Sequence, residues 1–490
     1  MAKRVTVIGL DGMPLAVLFR LIDLSAMPYT KHLVQKSLVR DLYVDLPFTL
    51  ASWASISTGC NPGKHGVFDC LLPQPGAEPR LVTRELMERP TMCEIAALNG
   101  LKAITINVPM SCPPAVKRNH IVVSDWTYPR LATWPSSEME TVKKILLREG
   151  PPQPIKTVED RVEQVIESVV RRCELIEYMY THRNWDLFYA VIPEPDWVFH
   201  IALGEIVNAR GVGKVALKIF ERIDKLIRVL HESAPNGTLF IMCSDHGFME
   251  AHTSLNINVM LERMGLLKTL IHKLSLRTRF VHWLAKVAPS WLKSRLKYGR
   301  AWILARKFID MRPFITGRIP IDYVNSRAYA TIAYNIYVNL SLPREEREEI
   351  RREILRTLEG YRYMFEVIEY GERYFHGPYT SRAPSIVLIP RDGYNVSTRL
   401  AYRNVVERGK WYVHSSRGMI LLHTIDSDVD LDSRSIVRNV DIAPSVLAWL
   451  GLPLDPDMDG VPLVRVRKPR YRQYGPIYRA VKALRRTQSS

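Results

Sequence analysis

The chain has 490 residues and a formal net charge of +18, which is length enough for a large buried core. Met1-Ala2-Lys3-Arg4 runs directly into the strand-like Val5-Thr6-Val7-Ile8-Gly9-Leu10, so no secretory apolar region is expected, and no apolar run reaches the roughly 18 residues of a membrane span. The six cysteines show no CxxC spacing, which argues against a disulfide framework and for reduced thiols in a cytoplasmic protein.

The charge is unevenly spread. Residues 263–318 hold fourteen Lys/Arg against one acid, and residues 465–490 hold nine against none, so the rest of the chain is close to neutral. Such blocks suit anionic partners (a phosphorylated substrate, nucleic acid or a lipid surface) or are simply solvated helix faces.

In chain order, residues 1–12 read as a first strand ending in Asp11-Gly12, and 13–40 as helical. A short strand at 42–44 precedes a loop at Pro47. A helix over 50–58 follows Thr49 and is stopped by Gly59 and Asn61-Pro62-Gly63. Residues 91–99 read as a helix and 102–108 as a strand. A long amphipathic helix is expected over 158–182, a strand over 186–192, a helix over 213–233 and an apolar strand over 238–244. Strands alternating with helices imply parallel βαβ units with both sheet faces covered. A charged helix at 344–358 with strands at 362–370 and 384–390 suggests a small α+β insertion over about 340–395. A core strand at 419–423 and a helix at 441–450 follow.

Metal-ligand residue types sit where these strands end. Asp11 closes the first strand, and Asp245-His246-Gly247 closes the strand at 238–244, at the edge where open α/β folds keep their chemistry. Asp196 and His200, four apart, share one helix face behind the strand at 186–192. His414 precedes the core strand at 419–423. Thr49 stands at a helix start, where backbone N–H groups and the dipole favour an anionic phosphoryl group; a hydroxyl bound to a metal becomes a nucleophile more readily. Singly, each residue has a plainer reading: a turn Asp, an N-cap Thr, a loop His. Ser52 and Ser55 are competing hydroxyls on the same segment. As a set, three Asp, three His and one Thr suffice for two divalent ions, with imidazole favouring Zn²⁺ and the carboxylates also accepting Mn²⁺ or Mg²⁺.

The ordered segments Val7–Gly12, Pro47–Gly66, Asn107–Met110, Asp196–His200, Ser244–Phe248, His414–Gly418, Asp441–Pro444 and Met458–Gly460 resemble the alkaline phosphatase superfamily. The closest likeness is to its type I phosphodiesterase/nucleotide pyrophosphatase branch. The resemblance implies an α/β fold: a central, mostly parallel sheet with helices on both faces, plus a helical and a small α+β insertion. It implies a catalytic core over 1–262 and 319–463; residues 263–318 interrupt it and read from their charge and apolar spacing as a basic helical cap or an ordinary packed insertion, and the basic tail over 464–490 reads as flexible. It implies one metal held by Asp196, His200 and His414, and another by Asp11, Thr49, Asp245 and His246. Thr49 would attack phosphorus to give a phospho-threonine that water hydrolyses. Lys64 and Asn107 become candidate substrate contacts, with an exposed Lys64 as the plainer alternative, and His65 is read as structural. No Cys-x-Pro-x-Arg stands at the nucleophile, which disfavours a sulfatase. The expectation is a phosphodiesterase acting on a phosphorylated small molecule, a nucleotide among the candidates. A phosphomutase or phosphomonoesterase of the same superfamily is the alternative. A nucleic-acid or membrane-surface binding protein is the rival from another class.

Overall fold

The computed structural model describes residues 3–147, 157–270, 321–400, 404–426, 432, 434–465 and 469–488. The central sheet has nine strands: β1 (Arg4–Leu10), β2 (Leu38–Tyr43), β3 (Ala103–Ile106), β4 (His120–Val123), β5 (Thr133–Trp134), β6 (Leu187–Ile192), β7 (Thr238–Cys243), β8 (Arg417–Thr424) and β9 (Val437–Arg438). Their order is β9-β2-β8-β7-β1-β6-β3-β4-β5. The run β7-β1-β6-β3-β4 is parallel throughout. Only β8 and β5 run against their neighbours. The sheet is thus the mostly parallel one expected.

Period-two alternation explains why these strands are apolar on both sides. In β1, Val5 and Val7 face one core, which also holds Leu239, Ile241 and Cys243 of β7. Ile8 and Leu10 face the other, with Phe240 and Met242. The second core is covered by the helices Val158–His182 and Val212–Ser233, whose apolar stripes supply Val165, Val169, Ile176, Phe220, Ile223 and Ile227. The first is covered by Thr49–Thr58, Met92–Leu98 and Ile442–Trp449. Thr6, the polar exception within β1, satisfies its hydroxyl on Tyr180 Oη at 2.9 Å.

Several local expectations change. The stretch 13–40 is two short helices, Leu15–Asp23 and Pro28–Val34, followed by β2; Pro28 starts the second helix at a position where its missing N–H costs nothing. A separate three-stranded sheet joins Gly247–Asn256 to Tyr394–Ser397 and Val406–Ser415. His414 therefore sits on a strand, not in a loop. The small α+β unit is a four-stranded sheet of Ala328–Ala330, Ile336–Val338, Ile386–Pro390 and Phe365–Tyr370, with the helix Arg344–Glu359. The basic segment expected to form a cap lies, from 271 onwards, outside the described residues. Its flanks meet in an antiparallel bridge between Thr269 and Ile321. The C-terminal basic segment, expected to be flexible, carries a helix over Gly475–Gln488. Tyr474 and Tyr478 are buried, and Lys482 Nζ reaches the Met87 carbonyl and Glu88: two aromatic anchors outweigh the charge of the segment.

Candidate active site and metal centre

Because β1, β6 and β7 are parallel neighbours, their carboxyl ends lie side by side. Asp11 follows β1, Asp245 and His246 follow β7, and the helix Glu194–Val207 follows β6 and carries Asp196 and His200. His414 arrives by pairing: Phe248 is opposite His414 and Gly247 opposite Ser415. This register lays the His414 ring on that of His246, centroids 3.6 Å apart.

The ligand atoms converge. His246 Nε2 is 3.5 Å from Asp11 Oδ1, 3.3 Å from Asp245 Oδ2 and 3.3 Å from Thr49 Oγ1. Asp196 Oδ1 is 3.1 Å from His414 Nε2 and 3.6 Å from His200 Nε2, and the two imidazole nitrogens are 3.1 Å apart. All seven residues expected from the sequence meet here. Two groups have ligand atoms within 4.8 Å of one another: Asp11, Asp245 and His246, and Asp196, His246 and His414. His246 thus lies between the two sets rather than wholly in one.

The donor chemistry fits divalent cations. Each imidazole uses Nδ1 on a backbone carbonyl: His200 on Tyr412 at 3.2 Å, His414 on Pro47 at 3.2 Å and His246 on Gly247 at 3.1 Å. A carbonyl only accepts, so Nδ1 carries the hydrogen and Nε2 turns inward as the ligand atom. Asp11 Oδ1, Asp196 Oδ1 and Asp245 Oδ2 are buried with no hydrogen-bond donor, an arrangement that is costly unless a cation faces it.

Burial pushes Asp245 up to about 8. It also carries Asp11 well above the carboxylate range, with the charges of Asp245 and Asp196 adding to the rise. For Asp196, burial is outweighed by the imidazoles around it, His414 first and then His200 and His246, leaving it at about 2. Burial also lowers His200 and His246, with His246 falling further. For His414 the effect of burial is overcome by the Asp196 carboxylate, and its pKa rises. A cluster that holds protons against its own carboxylates is one in which a divalent ion can replace them.

Thr49 opens the helix Thr49–Thr58, and Phe48 is the N-cap without a side-chain cap bond. Thr49 is therefore not serving as a cap. The competing hydroxyls are engaged: Ser52 Oγ donates to the Asp245 carbonyl at 2.5 Å and Ser55 Oγ pairs with His65 at 3.0 Å. Thr49 Oγ1 alone of the three faces the ligand cluster.

A model of the type I phosphodiesterase/nucleotide pyrophosphatase family matches residues 5–416. The chain belongs to this family. It is a hydrolase of phosphoric ester bonds. No curated protein matches it in sequence. Among solved structures, phosphonoacetate hydrolase from Sinorhizobium meliloti 1021 with phosphonoformate is similar at a TM-score of 0.55 and 14% identity, over 92% of this chain and 96% of that one. The alkaline phosphatase PafA gives 0.55 and 13%, over 94% and 99%. An inactive threonine-to-alanine variant of murine ectonucleotide pyrophosphatase/phosphodiesterase 5, in complex with AMP, gives 0.52 and 12%, over 93% and 96%.

Within this family member, the two candidate substrate contacts already have bonds in the fold. Lys64 Nζ is 2.5 Å from Asp459 Oδ1 and 2.8 Å from the Asp457 carbonyl. Asn107, at a positive φ of 58°, donates its amide to the Val191 carbonyl at 2.9 Å, tying the end of β3 to β6. The plainer reading of Lys64 as an exposed side chain also changes, to a clamp on the Asp459 segment. Sequence reasoning passed over Trp53, which donates to Asp11; its i+4 spacing from Thr49 was the available signal.

Proposed function

We propose that the protein is a phosphodiesterase of the nucleotide pyrophosphatase kind, working through a phospho-threonine on Thr49. The observation that carries the reading is that Thr49 stands between the ligand cluster and an apolar cleft of about 580 Å³. Phe48, Leu50, Met110, Trp126, Tyr128 and Ile332 are among its lining residues. Trp126 packs edge-on to Trp197, the neighbour of Asp196, with centroids 6.3 Å apart. An organic group on phosphorus thus has an apolar, aromatic wall beside the nucleophile. AMP in the murine relative's complex makes a nucleotide moiety a fitting occupant.

Asp11, Asp245, His246 and Thr49 would hold one divalent ion, and Asp196, His200 and His414 a second, with Zn²⁺ favoured by the imidazoles. Bound ions would neutralise phosphoryl charge and acidify the Thr49 hydroxyl. The chain's own part is as follows. Thr49 Oγ1 bonds to phosphorus in line, and one ester oxygen leaves as an alcohol. Phe48 and Trp126 exclude water from the bound organic group. Water then cleaves the phospho-threonine, so that diester plus water gives monoester plus alcohol. That a threonine-to-alanine change accompanies inactivity in the murine relative supports a threonine nucleophile. The cysteines, all free thiols, suit the cytoplasmic location expected from the sequence.

The test is hydrolysis of bis-p-nitrophenyl phosphate against p-nitrophenyl phosphate by metal-stripped protein resupplied with Zn²⁺, Mn²⁺ or Mg²⁺. A higher kcat/KM for the diester, with phosphate trapped on Thr49 in acid-quenched protein, is expected. Preference for the monoester would move the assignment to a phosphomonoesterase or phosphomutase.

A further inference from the structure

Trp53 is wholly buried and donates its indole N–H to Asp11 Oδ2 at 3.0 Å. The other oxygen, Oδ1, has no donor and lies 3.5 Å from His246 Nε2. One oxygen is pinned and the other is left for a ligand. Asp245 repeats the pattern: Gly12 N–H donates to Oδ1 at 3.1 Å, and Oδ2 is left unpartnered. In that case the donor is backbone; at Asp11 it is a side chain that can be replaced.

The indole cannot easily turn away. The strand makes room for it at Gly9, where a Cβ would come within 2.3 Å of Trp53 Cη2. The ring of Tyr189 packs beside it, centroids 6.3 Å apart. Trp53 also lies four residues after Thr49 on the same helix face, so one rigid element fixes both the nucleophile and the Asp11 carboxylate.

We infer that Trp53 is a positioning residue for the Asp11/Asp245/His246 metal site, its N–H holding one carboxylate oxygen of Asp11 so that the other is presented to the ion. This rests on the metal-site reading above. Losing such an outer hydrogen bond weakens metal binding roughly 10- to 100-fold.

The test titrates Zn²⁺ into metal-stripped full-length protein against a competing chelator dye. It compares the wild type with Trp53→benzothienylalanine, introduced site-specifically, in which sulfur replaces the indole N–H at nearly constant volume. A second variant, Trp53→Phe, checks the effect without the non-natural residue. One Zn²⁺ site should weaken by that factor and the other stay within about twofold, with the melting temperature of the metal-free protein unchanged. In an Asp11→Asn background the same replacement should alter Zn²⁺ affinity less than twofold, since the oriented ligand is gone. Unchanged affinity at both sites would overturn the inference, as would equal weakening of both together with a lower metal-free melting temperature. A wild type that binds no Zn²⁺ would overturn the metal site itself, and the inference with it.

Discussion

Two polar clusters flank the helix Thr49–Thr58, one at each end, and they are built on opposite principles. At its C-terminal end, around Asn61–His65, the polar groups have partners. Asp459 accepts from Lys64, from His376, and from the backbone and side-chain amides of Asn61. His65 accepts from Val67 N–H on Nδ1 and bonds Ser55 through Nε2. At its N-terminal end, three carboxylate oxygens lack donors and three imidazole nitrogens face inward. A satisfied cluster is at rest and serves the fold; an unsatisfied one stores a demand for a cation and serves chemistry. Residue types alone do not separate the two, since both contain Asp, His and a hydroxyl.

Substitutions can break this contrast, and Thr49→Ala should have the largest effect. It should lower kcat on the order of 10⁴-fold while Zn²⁺ content by mass spectrometry stays near wild type; full activity would remove Thr49 as nucleophile. Next, Asp245→Asn should weaken Zn²⁺ binding by on the order of 10²-fold, yet leave the metal-free protein as stable as wild type or more so, because a buried carboxylate with one oxygen unpartnered is gone. A large fall in the metal-free melting temperature would count against the contrast.

At the other end the signs reverse. Lys64→Met should cost about 2 kcal/mol in urea denaturation, because Asp459 loses its half-buried cation, and diester turnover at 25 °C should stay near wild type. A selective loss of turnover would return Lys64 to the substrate site. The smallest effect is in pH. Burial lowers His65 from 6.5 to about 3, so its stabilising contribution is present above 6.5 and drains away as the pH falls toward 3. Between pH 6.5 and 5 the loss is about 2 kcal/mol, and His65→Gln should flatten that part of the stability profile. An unchanged slope would mean that His65 is not held neutral.

Much of the candidate site was legible because its candidate ligands are tied to strand ends. Asp11 and the Asp245-His246 pair each follow an apolar run, and Asp196 and His200 share a helix face, so local pattern was enough to nominate them. His414 was harder. Its segment alternates weakly, and only the pairing of Gly247–Asn256 with Val406–Ser415, over 150 residues apart, sets it against His246. The clamp made by Lys64 was hidden for a similar reason: its partner Asp459 lies almost 400 residues away. The C-terminal helix was obscured by its charge, while Tyr474 and Tyr478 anchor it.

The sequence by itself determined the parallel α/β core, the family and most of the candidate ligand set, because apolar periodicity and strand-end chemistry are local properties. Tertiary structure alone decided which polar groups remain unsatisfied: which hydroxyl of three faces the ligands, which oxygen of Asp11 is free, and that Lys64 belongs to a clamp. Hydrogen-bond satisfaction is a sum over neighbours distant in the chain, and it exists only once the chain has closed on itself.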